Sequence, residues 1–460
     1  GQAVTCDDFA QAIADANPES PLARLLPQFK YWYSQAGTPR LHASSPWDAA
    51  TGTYELTLGQ SCPLTPGQPE KQPFVIPVRL GLLDPEGVQI SEGMHVLTEA
   101  SATLSFTGLT AEPVPSILRG FSAPVILEYG YSDAQLLILL AHDTDPFNRW
   151  EAGQRLALHR ALHFIRSGEV VELDTPFVDA MRGVLRHPQL DAAFKELVLT
   201  LPSETYIAEQ LDTVDPQRIH AVREAMRERL AVALRHDWEG AYEQHKDNGA
   251  YRPDALSSGR RALAALALTQ LCVAARHSGD PVWPGRAYQR FKDAGNMTDR
   301  FNALSALVLS GHELAQPALL RFHALFKDEA LVLDKWFALQ AGAPDRGGNI
   351  LPLVRQLMTH PDFNIRNPNR ARSLIFSYCS ANPGGFHRPD AAGYVFWSER
   401  VIELDAINPQ VAARLARALD RWKKLVEPCR SAAREAIARV AAKPDLSNDV
   451  REVVTRALAD

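Results

Sequence analysis

Residues 263–275 read LAALALTQLCVAA, and this stretch decides the fold class of most of the chain. It is apolar on nearly every side of a helix, whereas a helix at a protein surface keeps one polar face. Such a helix must therefore be buried between neighbouring helices. A second segment is amphipathic and places four apolar residues on one helical face: Ile219, Val222, Met226 and Leu230.

Helical segments follow one another outward from this stretch, over residues 132–460, without a strand pattern between them. Breaks such as LDTVDP, NIRNPN and AINPQ combine a capping side chain with a proline in the first helical turn. Roughly fifteen short helices in series favour an α-solenoid over a compact bundle. No repeat motif is visible, so this prediction depends on the succession of helices.

Upstream of these helices the apolar period changes to two. The segments GTYELTLGQ and PFVIPVRLGLL alternate apolar and polar residues, which is typical of half-buried strands. Proline and glycine turns separate these strands from others, so residues 38–131 are predicted to form a small antiparallel β-sandwich. Pro77 lies inside the second segment and predicts an edge strand, because proline cannot donate to a ladder.

Residues 1–37 are predicted to form short helices. Thr5 and Asp8 fit the S/T-x-x-D/E capping box at the start of the first one. Because Gly1 is not methionine and a helix begins almost at once, we expect that further sequence precedes it. The chain is thus predicted to be a multidomain α+β protein: helices at 1–37, the β-sandwich at 38–131, and a large all-α superhelical domain at 132–460.

Composition argues against several classes of protein. A net charge of −6 gives no basic surface for nucleic acid. No apolar run approaches the roughly 18 residues that would predict a membrane span. Five cysteines are scattered without CxxC spacing, which favours reduced thiols and a cytoplasmic protein over disulfides or a cysteine zinc site.

Two histidine patterns could suggest a metal site. In GHELAQ, His312 and Glu313 match the first half of the zinc motif HExxH, but Gln316 replaces the second histidine. Pro317 follows at once, so a junction between helices is predicted there. His159 and His163 have the i, i+4 spacing of a ligand pair, but no acidic third ligand lies nearby, which favours a solvated helix face.

Seven segments resemble, in the same order, the C-terminal part of bacterial aminopeptidase N, a family of gluzincin zinc metallopeptidases. The segments are VTCDDFAQAI, KYWYSQAGTP, PEKQPFVIPV, NMTDRFNALSAL, LVLDKWFALQA, NPNRARSL and NPQVAARL. The resemblance covers essentially the whole chain. It implies that residues 1–37 are the last helices of a thermolysin-like catalytic domain, and that the sandwich and the helical domain follow it.

The family's HExxH, its downstream zinc-binding Glu and its GxMEN loop do not occur in this sequence. A zinc peptidase needs three protein ligands and an activated water. We therefore expect the zinc site upstream of residue 1, no catalytic or metal-binding residue in this chain, and no activity from the chain alone. The resemblance implies zinc in the full-length enzyme, peptide substrates, and the N-terminal and catalytic domains as partners.

The resemblance also implies three substrate-binding residues: Arg372 in NPNRARSL, and Gln410 and Arg414 in NPQVAARL. A guanidinium there could pair bidentately with a peptide carboxylate, and Gln410 and Arg414 share one helical face. Arg417 and Arg421 extend the same stripe, so a solvated helix face is the alternative. The second function hypothesis is a stand-alone α-solenoid that binds a protein partner and has no enzymatic activity.

Overall fold

The computed structural model describes residues 3–247 and 249–459, which separate into two compact units, Gly1–Leu156 and Ala157–Asp460. The first unit begins with helices α1 (Cys6–Ala16), α2 (Pro21–Phe29) and α3 (Tyr31–Ser34). The predicted capping box starts α1. The Thr5 hydroxyl accepts the Asp8 N–H at 3.2 Å, and the Asp8 carboxylate accepts the Thr5 N–H at 2.8 Å.

Strands in two sheets follow these helices. They are β1 (Arg40–Ser44), β2 (Trp47–Asp48), β3 (Thr53–Ser61), β4 (Ile76–Leu83), β5 (Gln89–Leu97), β6 (Ser101–Phe106), β7 (Val114–Ile117) and β8 (Ile126–Glu128). In the first sheet, β3 is antiparallel to β1, β2 and β6, while β1 and β8 are parallel. In the second sheet, β4 is antiparallel to β5 and β7. The sandwich prediction is confirmed, with one parallel pair that the sequence did not indicate.

The core of the sandwich takes side chains from both sheets. Those predicted from the alternating pattern are 0–6% exposed: Tyr54, Leu56, Leu58, Phe74, Ile76, Val78, Leu80 and Leu82. The prediction of an edge strand at Pro77 is wrong, because β4 is the central strand of its sheet. Proline is tolerated there since β7 pairs with β4 only from Leu80 onward, which leaves one side of the strand unpaired at Pro77.

Helices make up the rest of the chain. They are α4 (Asp133–His142), α5 (Pro146–Ser167), α6 (Thr175–Arg186), α7 (Ala192–Leu199), α8 (Glu204–Glu209), α9 (Pro216–Ala233), α10 (Arg235–His245), α11 (Ala255–Ser278), α12 (Val282–Asp293), α13 (Met297–Ser310), α14 (Ala315–Phe326), α15 (Ala330–Ala341), α16 (Ile350–Met358), α17 (Pro368–Ala371), α18 (Ser377–Cys379), α19 (Pro383–Phe386), α20 (Ala392–Asp405), α21 (Pro409–Ala416), α22 (Cys429–Ala441) and α23 (Asn448–Leu458). No helix in the described ranges is long and apolar enough to cross a membrane. The boundaries at 37/38 and 131/132 stay a prediction.

Helix α11 contains the apolar stretch 263–275 and packs against α7, α9, α10, α12 and α13. Leu263, Ala267 and Leu271 are fully buried, as predicted. On α9 the predicted apolar face is also buried: Ile219, Val222, Met226 and Leu230 are 1–3% exposed. The packing of these helices therefore follows from the need to bury α11 among shorter helices.

Arg119 and Asp143 form a buried ion pair inside the first unit, with side chains 2% and 0% exposed. Nη2 of Arg119 donates to Oδ1 of Asp143 at 3.0 Å, and the Ser116 hydroxyl donates to Oδ2 at 2.6 Å. The guanidinium lies so close to Gly81 that a Cβ there would be 2.1 Å from Cζ. Glycine in β4 thus makes room for a charged link between the sandwich and the end of α4.

We expect Asp143→Ala to lower the free energy of unfolding by about 3–5 kcal/mol, because it leaves the Arg119 guanidinium buried without its nearest carboxylate. Urea unfolding monitored by tryptophan fluorescence measures the loss. The matched control is Asp7→Ala, which removes an exposed ion pair to Lys30 at 3.4 Å. The control should cost less than about 1 kcal/mol; equal losses in the two variants would contradict the assignment.

Candidate functional site

A cavity of about 790 Å³ lies among the helices of the second unit. Its wall comes from α7, α8, α9, α11 and α13 and from the segment that enters α19. The size falls within the range of small-molecule and peptide sites. The ionisable groups of the lining include Glu196, Glu204, His220, Arg223, Glu224, Arg227 and Arg261.

Helix α11 gives this cavity both its space and its polar floor. Ala262, Ala265 and Leu266 line the cavity, and the two alanines leave room next to the backbone. Arg261 and Gln270 line it as well, on a helix whose other residues are mostly apolar. The cavity therefore lies along the face of α11 that carries Ser258, Arg261, Thr269 and Gln270, while the other polar residues of the helix are near its ends.

His220 on α9 and Glu204 on α8 form a pair at the cavity wall. Nδ1 of His220 lies 2.7 Å from Oε1 of Glu204, and Nε2 lies 3.1 Å from the carbonyl oxygen of Asp345. Both oxygens are acceptors, so the doubly protonated imidazolium satisfies both contacts. Burial lowers the pKa of His220, but the hydrogen bond and charge of Glu204 outweigh it and the pKa lies above its ordinary value.

Gly384 in α19 contacts both members of the His220–Glu204 pair. Its backbone N–H donates to Oε2 of Glu204 at 3.2 Å. A Cβ at this position would come within 2.5 Å of the His220 ring, so a larger residue would displace the imidazole. Residues from α8, α9 and α19 are thus joined through one carboxylate.

Glu224 on α9 is also paired with charged side chains of the same helix. Glu224 forms an ion pair with Arg227, and Nη1 of Arg223 lies 3.6 Å from Oε1 of Glu224. Nε of Arg223 donates to the carbonyl of Pro202 at 2.7 Å, and burial lowers the pKa of the Arg223 guanidinium. The carboxylates of Glu204 and Glu224 are therefore paired with cationic side chains of the chain itself.

Arg261 differs from these arginines. It is 5% exposed, and among the residues that the structure describes no carboxylate pairs with it. Its Nη2 donates to the carbonyl of Arg252 at 2.8 Å, and its guanidinium lies 4.5 Å from the ring centroid of Tyr251. Nε of Arg261 and Oε1 of Gln270 are buried without a hydrogen-bond partner. Unsatisfied buried polar groups cost about 1–3 kcal/mol each, so two of them beside a cavity indicate a place for water or a ligand.

The three residues predicted to bind substrate lie on the surface and are not among those that line this cavity. Arg372 begins a π-helical turn, and its Nη1 donates to Oδ1 of Asn369 at 3.2 Å. Gln410 and Arg414 lie one turn apart on α21 and are both exposed. Their role in substrate binding stays a prediction.

Other residues of the segments that resemble the family have structural roles. Arg370 is 5% exposed and lies 3.0 Å from Asp334, although the two groups are not aligned for a hydrogen bond. Its guanidinium also lies over the ring of Phe337, which is fully buried. Asn296 caps α13 by accepting the Asp299 N–H at 2.9 Å.

The two histidine patterns do not form a zinc-peptidase site. Helix α13 ends at Ser310 and α14 begins at Ala315, so His312 and Glu313 lie in the predicted junction. His159 and His163 are exposed on α5, as predicted. The described residues contain one group of three converging metal-ligand side chains, and none of these four residues belongs to it. The chain's residues therefore do not fit the HExxH centre that the resemblance implies for the family.

Sequence reasoning missed the cavity and its residues Glu204, His220 and Arg261. They belong to segments that are far apart in the chain and match no motif. Gln270 was the available signal, since it is a polar residue inside LAALALTQLCVAA. A polar side chain in a buried helix requires a polar neighbour or a cavity.

The His220–Glu204 pair should make the stability of the second unit depend on pH. The folded-state pKa of His220 lies above its unfolded value of about 6.5, so the stabilisation is complete below that pH. It is lost as the pH rises through the folded pKa. His220→Gln should lower the free energy of unfolding by about 1.5–3 kcal/mol at about pH 5.5 and by less at about pH 8.5.

Urea unfolding at the two pH values measures this difference. In a Glu204→Gln background, the extra cost of His220→Gln at about pH 5.5 should disappear or reverse, because the charge that favours the imidazolium is gone and burial lowers the pKa of His220. If His220→Gln costs the same at both pH values in the otherwise unchanged protein, the assigned ion pair is wrong.

Two family models match the chain. One, described as a domain of unknown function (DUF3458) with an Ig-like fold, matches residues 37–130. The other, described as a domain of unknown function (DUF3458_C) with ARM repeats, matches residues 133–459. The β-sandwich and the series of helices correspond to these two descriptions.

Aminopeptidase N of Escherichia coli (strain K12) is 37% identical over 470 residues, which cover 100% of this chain and 53% of that protein. Aminopeptidase N of Haemophilus influenzae is 36% identical, with 100% and 52% covered. The crystal structure of Legionella pneumophila aminopeptidase A in complex with aspartic acid matches with a TM-score of 0.85 and 27% identity, covering 99% of this chain and 52% of that one. The chain spans about half the length of these relatives. It belongs to the aminopeptidase N family, of which it represents the C-terminal Ig-like and ARM-repeat part.

Proposed function

We propose that this chain is part of a zinc aminopeptidase that removes N-terminal amino acids from peptides, and that it encloses the chamber in which the peptide lies. The observation that supports this most strongly is the match of 100% of the chain to aminopeptidase N sequences at 36–37% identity. In this proposal the zinc ligands and the catalytic base lie upstream of residue 1, and the enzyme acts in the cytoplasm. The chain alone binds and encloses but does not cleave.

The polar cavity supports a role in holding peptides. Its lining combines arginine, histidine and glutamate side chains, which suits a zwitterionic peptide better than a polyanion. Glu204 and Glu224 already pair with the other cationic side chains described on this wall. Arg261 is therefore the cationic group left to bind the carboxylate of a peptide. Gln270 offers an acceptor for a peptide N–H at the same wall.

Arg372, Gln410 and Arg414 are proposed as a second set of peptide contacts. All three side chains are exposed, so a peptide can reach them without displacing core residues. Gln410 and Arg414 present an amide and a guanidinium from one face of α21, opposite the buried Val411 and Leu415. An amide and a guanidinium together match a peptide backbone with a terminal carboxylate.

Helix α1 supplies the proposed contact with the rest of the catalytic domain, of which residues 1–37 are proposed to be the last helices. Its inner face is formed by Ala10 and Ala14, which pack against α2. Its outer face exposes Phe9 by 61% and Ile13 by 39%, and Val4 beside it is 71% exposed. No described residue covers this face, and the relatives are about twice as long as the chain, so we assign the face to the part of the enzyme that precedes it.

In the whole enzyme, Arg414→Ala should raise KM for tripeptides about tenfold or more, because a charge-assisted hydrogen bond to the peptide carboxylate is lost. An alanyl amide without a carboxylate should be hydrolysed with nearly unchanged kcat/KM. Arg372→Ala should behave in the same way. Steady-state kinetics with the two substrate types measures the effect.

The matched control for these variants is Arg417→Ala, which removes an exposed arginine from the next turn of the same stripe. It should leave both substrates unaffected. Equal losses on peptide and amide substrates would contradict a role in recognising the carboxyl end. If the whole protein does not hydrolyse alanyl substrates at all, the stand-alone interaction module becomes the better explanation.

The double variant Phe9→Ser/Ile13→Ser should weaken association between this chain and the catalytic half produced as a separate chain. Burying a Phe or Ile side chain is worth about 1.5–3 kcal/mol, so the dissociation constant should rise at least tenfold. Sedimentation or calorimetric titration measures it. The control Leu331→Ser changes a residue that is 69% exposed on α15 and should have no effect. Unchanged affinity in the double variant would contradict the assigned contact.

A further inference from the structure

Two histidines and an aspartate meet where α14 approaches the turn that follows α16. His323 lies on α14, while His360 and Asp362 lie in the turn after Met358. One ligand atom from each residue lies within 4.8 Å of the other two. Nε2 of His323 is 2.5 Å from Oδ2 of Asp362, and Nδ1 of His360 is 3.7 Å from the same oxygen. Ligands of a tetrahedral ion with bonds of about 2.1 Å lie about 3.4 Å apart. The 3.7 Å pair is close to this spacing, whereas the hydrogen-bonded 2.5 Å pair must open by about 1 Å to admit an ion.

The donor set has a definite chemical preference. Two imidazole nitrogens and one carboxylate oxygen are the ligands of first-row divalent metals such as Zn²⁺, whereas Mg²⁺ and Ca²⁺ prefer oxygen ligands. Three protein ligands leave one tetrahedral position for water.

Aromatic side chains hold the two imidazole rings in place. The ring of Trp336 lies 5.2 Å from His323 and 5.3 Å from His360, measured between centroids. The Trp336 indole N–H donates to the carbonyl of Leu319 on α14 at 3.0 Å, which fixes the orientation of that wall. Phe337 packs against His360 at 5.8 Å. Such packing limits ring rotation, as the outer shell of a metal site does.

An ion could reach these residues from solvent. The side chains of His323, His360 and Asp362 are 23%, 26% and 35% exposed, so the group is partly sheltered but not closed. In this geometry the backbone N–H of Asp362 donates to Nδ1 of His360 at 3.2 Å, a long contact that a metal could replace. The site therefore needs small side-chain shifts and no rearrangement of helices.

We propose that His323, His360 and Asp362 bind one divalent transition-metal ion, with Zn²⁺ as the preferred ion. The ion joins α14 to the turn at residues 359–363, which leads into α17 and then Arg372. Its role is to hold this turn and not to take part in peptide cleavage. The proposal revises the expectation that the chain binds no metal. It does not depend on the proposed peptidase function.

Calorimetric titration of the metal-stripped 460-residue chain with Zn²⁺ should show one saturable site. His323→Ala should weaken binding at least tenfold. Asp362→Asn, which keeps the shape of the side chain, should weaken it as well. Co²⁺ should give the visible absorption of a four-coordinate site in the unchanged chain and not in the variants. Zn²⁺ should also raise the Tm of the unchanged chain and not that of His323→Ala.

The matched control is the double variant His159→Ala/His163→Ala, which removes an exposed i, i+4 histidine pair from α5. It should bind Zn²⁺ as the unchanged chain does. Circular dichroism verifies that all variants are folded. The proposal is overturned if Asp362→Asn and His323→Ala bind normally, if the control alone loses binding, or if no site has a Kd below about 1 mM.

Discussion

Burial of α11 is the constraint on which the second unit depends. A helix with fully buried residues along its length, such as Leu263, Ala267 and Leu271, is stable only when other helices surround it. Five neighbouring helices do so. The polar residues of α11 cannot pack against apolar neighbours without loss of their hydrogen bonds. Arg261, Thr269 and Gln270 lie instead along the cavity, so the packing requirement that builds the core also determines where the cavity is and why it is polar.

Two buried arginines show how the chain separates structural charge from charge available to a ligand. Arg119 is 2% exposed and has Asp143 and Ser116 as partners, so its charge is satisfied inside the sandwich unit. Arg261 is 5% exposed but has only carbonyl, hydroxyl and aromatic contacts in the described chain. The difference is the missing carboxylate. A buried guanidinium that has no carboxylate partner attracts an anionic ligand. A guanidinium already paired with a buried carboxylate has a structural role only.

Local features were predictable because they depend on short-range chemistry. The Thr5–Asp8 capping box, the alternation at Tyr54, Leu56 and Leu58, and the Asn296 cap all involve residues within a few positions of one another. The error at Pro77 has a long-range cause. Whether its strand is central depends on where β7 begins to pair, and β7 lies more than thirty residues away in the chain.

The sequence by itself determined the succession of strands and helices, the burial of residues 263–275, and the resemblance that assigns the family, because periodicity, capping and motif order are written along the chain. Only the tertiary structure decided which distant residues meet. Glu204, His220 and Gly384 form one cluster, and His323, His360 and Asp362 form another, although neither set has a motif. The physical reason is that helix packing, which depends on the shapes of whole surfaces, sets these distances.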